Sequence, residues 1–309
     1  MSEKYETIVP SEPDAGERLQ WVSWLRSAAP YVHLHHGRTF VISFAGEVVA
    51  DRTLLNHLVM DVSLIASMGM RVVLVHGSRP QIEELMSLRK LEGQFYKGVR
   101  ITGPQELECV KEACGETRFD IEAAFSQGLP NTPMQHSRIK VVSGNFVTAR
   151  PMGIIDGVDY LHTGVVRKVD AESIQDLLSR GNIVLVSPTG FSPTGEAFNL
   201  TTEDVATAIA VAIHADKLIL SVGVDGVRIQ GEKQQDLTAQ QAQALIQSKQ
   251  VDDEDVYNLG YALRAIKGGV DRVHIVPYAM DGGILTELFT HDGVGTMIST
   301  ENMESLREA

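Results

Sequence analysis

The sequence predicts an α/β protein: a three-layer α/β/α sandwich with a mainly parallel sheet, preceded by an N-terminal helical arm. Three observations lead there. Apolar runs at 39–44, 71–76, 139–143, 183–187, 217–222 and 272–277 are rich in Val, Ile and Leu, as strands covered on both faces require. Helical patterns separate them, and parallel strands need such crossovers. The first two runs each open into a glycine-containing turn, the scaffold that usually holds phosphate on backbone N–H groups.

Each element has its own signal. Residues 1–16 are polar, with Pro10, Pro13 and Gly16, and read as a mobile tail. Apolar Trp21, Val22, Trp24 and Leu25 then mark a short amphipathic helix, closed by Leu25, Pro30 and Tyr31. It either packs on its own core or offers its tryptophans to another subunit. Helical stretches follow at 52–68, 104–126, 170–180, 203–215 and 255–267, the first with Leu54, Leu55, Leu58, Val59, Val62 and Ile65 on one face. Residues 146–168, with Val158–Tyr160 and Val165–Arg167, read as a projecting hairpin. Residues 230–256 are rich in Gln and Asp and read as a loop-plus-helix excursion, and 300–309 begin a helical pattern.

Composition narrows the function. A net charge of −13 over 309 residues argues against a nucleic-acid surface, which needs clustered Lys and Arg. No apolar run is long enough to cross a membrane and no hydrophobic leader is present, so a cytoplasmic protein is expected. Cys109 and Cys114 lack nearby His ligands and read as reduced packing residues. His33, His35 and His36 crowd together without acidic partners, so no metal site is expected. Gly144–Asn145–Phe146 suits a small-ligand contact or a plain turn, and Asp225–Gly226 and Asp281–Gly282 are turn signals.

Both glycine turns are spoiled for phosphate. The first, Ser43–Phe44–Ala45–Gly46–Glu47, carries a glutamate and no lysine; the second, His76–Gly77–Ser78–Arg79–Pro80, ends on a residue with no N–H. That points to binding and regulation rather than catalysis.

Those two turns, Asn199–Ala206 and Leu285–Ile298 stand in the order of the motifs of acetylglutamate kinases. From about residue 18 onward the chain resembles the amino-acid kinase (carbamate kinase-like) fold family. It is more similar still to the N-terminal domain of bacterial N-acetylglutamate synthases, through Pro30–Tyr31, Val142–Phe146 and Asp156–Tyr160. In that family a GNAT-type acetyltransferase domain follows, making N-acetylglutamate from acetyl-CoA and glutamate at the first step of arginine biosynthesis. The resemblance implies an arm over 1–37, a kinase-like domain over 38–299, and over 300–309 the start of a linker to an acetyltransferase domain absent from this chain. Acetyl-CoA would then serve the absent domain, and this chain would need no cofactor and transfer no acetyl group.

The departures from the kinase pattern concern charge. Ser43 takes the place of the kinase lysine, Ser78 and Arg79 replace glycines, Glu203 stands for a metal-organising aspartate, and Asn258 for a second phosphate-binding lysine. Phosphoryl transfer depends on such groups, so no catalytic residue is expected. By composition alone Lys217 and Glu287 are solvated charges. The resemblance instead assigns them to a feedback arginine pocket: Lys217 on the ligand carboxylate, Glu287 on its guanidinium or α-amino group, carbonyls around Gly293 and Gly295 on the remaining N–H groups, and Tyr31 closing the pocket. The expected function is an arginine-binding regulatory domain in a homo-oligomer built through the arm. The alternatives are an acetylglutamate kinase that uses other residues and an oligomerisation module without ligand.

Overall fold

The computed structural model describes residues 15–127, 139–248 and 250–300. Helix α1 (Ala15–His35) leads into β1 (Thr39–Phe44), α2 (Gly46–Ala50), α3 (Arg52–Ser67), β2 (Arg71–His76) and α4 (Arg79–Leu88). A hairpin of β3 (Gln94–Tyr96) and β4 (Val99–Ile101) precedes α5 (Pro104–Gln127) and β5 (Val141–Ser143). Next come β6 (Val147–Pro151), β7 (Ile154–Ile155), β8 (Val158–Asp159), β9 (Gly164–Val169), α6 (Ala171–Ser179) and β10 (Ile183–Val186). Then follow β11 (Thr189–Phe191), β12 (Ala197–Asn199), α7 (Thr202–Ala212), β13 (Lys217–Val222), β14 (Arg228–Ile229), β15 (Glu232–Lys233) and β16 (Asp236–Thr238). The described chain closes with α8 (Ala239–Ser248), α9 (Asp253–Lys267), β17 (Arg272–Pro277), α10 (Gly283–Phe289) and β18 (Thr296–Ser299).

Eight strands form the central sheet in the order β16-β18-β17-β13-β1-β2-β10-β5. Every neighbouring pair is parallel except β17 and β18. Successive side chains on a strand point to opposite faces. Val41, Val73, Leu218, Leu220 and Ile275 therefore join one core with residues of α6, α7, α8 and α9. Phe40, Ile42, Leu74, Ile219 and Val276 join the other, with α3, α5 and α10 and the half-buried Tyr31 and Val32 of α1. These are the three layers expected, with all six expected strands among the eight.

The differences have physical causes. Helix α1 does not end near Leu25 but runs to His35 with Pro30 inside it, and Ala15 and Gly16, placed in the tail, already belong to it. A proline removes one helical hydrogen bond; burial of Ala28 and His35 and docking of Tyr31 on the core carry the helix past it. The 230–256 segment is not a plain excursion, because β16 within it pairs in parallel with β18 and extends the sheet. The projecting segment is a β6–β9 ladder tipped by the β7–β8 hairpin. The readings for residues 1–14 and 301–309 lie outside the described residues.

Candidate functional site

The carboxyl ends of the strands hold the positions compared with a kinase. Ser43 is buried in β1, and its turn lies against the next one: Gly77 N–H donates to the Phe44 carbonyl at 2.7 Å. A Cβ on Gly46 would stand 2.7 Å from Gln81 Oε1 and 2.8 Å from Pro80 Cδ, so protein atoms fill the space above that glycine. Ser78 is buried with its hydroxyl 3.2 Å from His76 Nδ1, while His76 Nε2 lies 2.8 Å from Ser187 Oγ. The Arg79 guanidinium lies 5.5 Å from the centre of the Phe95 ring. Glu203, half-buried in the first turn of α7, accepts from Tyr257 Oη at 3.2 Å. Burial raises its pKa, and the negative Asp204 and Glu47 add to the rise. Asn258 is buried in α9, and its Nδ2 has no hydrogen-bond partner among the described residues. This end of the sheet brings the Glu203, Asp204 and Glu47 carboxylates near one another.

The second group lies on the α10 face of the sheet, and there the structure departs from solvated charges. Lys217 begins β13 with its side chain inward, 6% exposed, and Glu287 on α10 is equally sequestered. His274 on β17 joins them: Lys217 Nζ donates to His274 Nε2 at 3.1 Å, and His274 Nδ1 donates to Glu287 Oε1 at 2.7 Å. The other carboxylate oxygen accepts from Val294 N–H at 2.7 Å and Gly295 N–H at 2.8 Å. Gly295 thus meets Glu287 through its N–H. Gly293 has a φ of 61°, and a Cβ there would stand 2.6 Å from Glu287 Oε2, so glycine serves both the backbone and the close approach. Tyr31 is half-buried on the same core, and no described hydrogen bond links it to Lys217 or Glu287. Helix α1 is tied in through His35, whose Nε2 donates to the Leu288 carbonyl at 3.0 Å.

The electrostatics follow from burial and partners. Burial would push the Glu287 carboxyl up, but the His274 imidazole and the two N–H groups outweigh it and hold it at about 2. Burial and then Lys217 bring His274 down to about 4, so it is neutral at pH 7 with its proton on Nδ1. Burial and then Arg272 lower Lys217 to about 7, so a modest stabilising charge decides its protonation. A cleft of about 320 Å³ reaches Lys217 and His35 between α1 and the amino ends of β13 and β17, with Arg38, Asp216 and Arg272 among its lining residues. Arg38 pairs with Asp216 at 2.7 Å across that lining. Sequence reasoning missed His274: one histidine in an apolar strand carries no local signal, and only the pairing of β17 with β13, which sets it opposite Ile219 and within 3.1 Å of Lys217 Nζ, brings it to the site.

The sequence pattern of the amino acid kinase family matches residues 38–277. The chain belongs to that family. This amino acid kinase domain is 54% identical over 298 residues to the amino-acid acetyltransferase of Ralstonia nicotianae, covering 96% of this chain and 66% of that one. The structure of N-acetylglutamate synthase from Neisseria gonorrhoeae complexed with coenzyme A and L-arginine superposes with a TM-score of 0.83 at 35% identity, over 91% of this chain and 66% of that one. Carbamate kinase from Giardia lamblia bound to AMP-PNP shares the fold, with a TM-score of 0.65 at 14% identity over 86% of this chain and 99% of its own. The domain is thus of the kind found in N-acetylglutamate synthases, and it spans about two thirds of the length of those relatives. Among the described residues no helix is long and apolar enough to cross a membrane, and no group of acidic, His or Cys side chains is placed to hold a metal ion.

Proposed function

We propose that this chain is the arginine-sensing regulatory domain of an N-acetylglutamate synthase and transfers no phosphoryl group itself. The observation that carries the reading is the buried Lys217–His274–Glu287 relay beside an open cleft. Burying a lysine, a histidine and a carboxylate is costly unless their hydrogen bonds are made, and here Lys217 donates to His274 and His274 to Glu287, with the cleft reaching the chain at Lys217. Lys217 takes the α-carboxylate, Glu287 a cationic nitrogen, backbone groups at Gly293 and Gly295 complete the pocket, and Tyr31 closes it from α1. The arginine bound by the Neisseria relative is consistent with that chemistry.

The absence of phosphoryl transfer rests on chemistry: Ser43 and Asn258 cannot neutralise phosphate charge, and Glu47, Glu203 and Asp204 add charge of the wrong sign. We assign residues 1–37 to the arm and 38–299 to the ligand-binding domain. Acetyl transfer from acetyl-CoA is assigned to the third of the relatives' length that this chain does not match, with 300–309 leading toward it. Thermal shift with L-arginine, N-acetylglutamate and MgATP in turn tests the reading, since a ligand that binds only the folded state raises the melting temperature. L-arginine alone should stabilise. Stabilisation by MgATP with N-acetylglutamate, accompanied by product, would establish a kinase instead.

A further inference from the structure

The loop that holds Glu287 is itself held from the β14–β15 hairpin. Glu287 Oε2 accepts from the N–H groups of Val294 and Gly295, and the Val294 carbonyl oxygen accepts from Lys233 Nζ. The Val294 carbonyl and the Gly295 N–H are the two ends of one planar peptide unit. An ammonium at its oxygen and a carboxylate at its hydrogen polarise the same group from opposite sides, and hydrogen bonds linked in this way strengthen one another. Lys233 is half-buried on β15. Arg228, opposite it in the hairpin register, is engaged within the hairpin, pairing with Asp225 at 2.8 Å and donating to the Gly231 carbonyl at 2.7 Å.

The rest of this segment grips the same loop. Buried Thr296 donates from Oγ1 to the Gln234 carbonyl at 2.5 Å and accepts from Val227 N–H at 2.9 Å. Gly226 has a φ of 118°, and a Cβ there would stand 2.7 Å from Thr296 Oγ1, so glycine permits the close approach. Met297 N–H donates to the Gln235 carbonyl at 2.8 Å. We propose that Lys233 is a positioning residue of the effector site: its ammonium fixes and polarises the 294–295 peptide, which in turn orients the Glu287 carboxylate. The effector part rests on the arginine reading above. Lys233 is not among the residues lining the cleft at Lys217, so it acts through the peptide rather than on the ligand.

Lys233→Met removes the ammonium and keeps the stem, whereas Lys233→Arg keeps a cation that can donate to the same carbonyl. Nuclear magnetic resonance of the ligand-free protein reads the peptide directly. In Lys233→Met the Gly295 amide proton should move upfield, as for a weaker hydrogen bond, and its exchange with solvent should quicken about tenfold, the lower end for one charge-assisted bond. Lys233→Arg should restore both signals, a rescue that a purely packing role for the stem would not produce. Calorimetry with L-arginine should show about tenfold weaker binding to Lys233→Met and recovery in Lys233→Arg. Gly295 signals unchanged in Lys233→Met, or altered equally in both variants, overturn the proposal. Wild-type arginine affinity alongside a weakened Gly295 bond would overturn the link from the peptide to the ligand. Absence of arginine binding by wild type would remove the effector reading, while the Gly295 signals would still decide whether Lys233 sets the peptide.

Discussion

Lys217, His274 and Glu287 behave as one unit, because each hydrogen bond fixes the next group's proton. Glu287→Gln keeps the shape and removes the charge, and charge-assisted bonds contribute about 1.5–3 kcal/mol, so calorimetry should report arginine affinity lowered ~10- to 100-fold. Lys217→Met should act similarly through the carboxylate, and citrulline, lacking the cationic end, should bind poorly to wild type. Wild-type affinity in both variants would place arginine elsewhere. Lys217 also makes binding proton-linked. A bound carboxylate raises its pKa from about 7, so binding takes up a proton and affinity falls as pH rises above 7, by at most about tenfold per unit. Calorimetry in buffers of different ionisation enthalpy would detect that proton, and equal heats in all of them would disprove the linkage. Glu287 works with the opposite sign on the fold itself. Its depressed carboxyl contributes stability present above pH ~4.5 and lost as pH falls toward about 2.

At the scale of elements, the loop from α10 to β18 connects the site to the sheet. Gly295 passes so close to β17 that a Cβ there would collide with the Ile275 carbonyl oxygen. Gly295→Ala should cost about 1–3 kcal/mol, as overpacking does, and displace the N–H that meets Glu287. Melting temperature and arginine affinity should fall together, whereas a drop in stability with unchanged affinity would separate the loop from the site. Strand and helix existence was legible here because buried parallel strands and crossover helices write themselves as apolar runs and periodic faces. Element limits were less so. Nothing local shows that α1 continues through Pro30, since the force that carries it is contact with α10 and the sheet, remote in sequence. Strand β16 has only Leu237 buried, and its membership of the sheet comes from pairing with β18.

At the scale of the whole molecule, α1 leaves Leu19, Trp21, Trp24 and Leu25 exposed along the arm. Apolar surface of this kind is characteristic of interfaces, and a homo-oligomer built through the arm is the assembly we propose. Removing residues 1–30 should lower the mass measured by light scattering, and an unchanged mass would mean that the arm serves its own subunit alone. Purified chain should transfer no acetyl group from acetyl-CoA to glutamate, an assay in which any turnover would relocate that chemistry.

The sequence by itself determined the fold class and where along the chain the main strands fall, because periodicity is a local property. It also marked Lys217 and Glu287 through motifs around them. Only the tertiary structure decided that both side chains are sequestered, that His274 joins them, and that Arg79 lies over Phe95. Those facts depend on strand register and helix packing between segments tens to hundreds of residues apart. Burial and partner, rather than residue type, then set whether a charge is solvated, neutralised or held ready for a ligand.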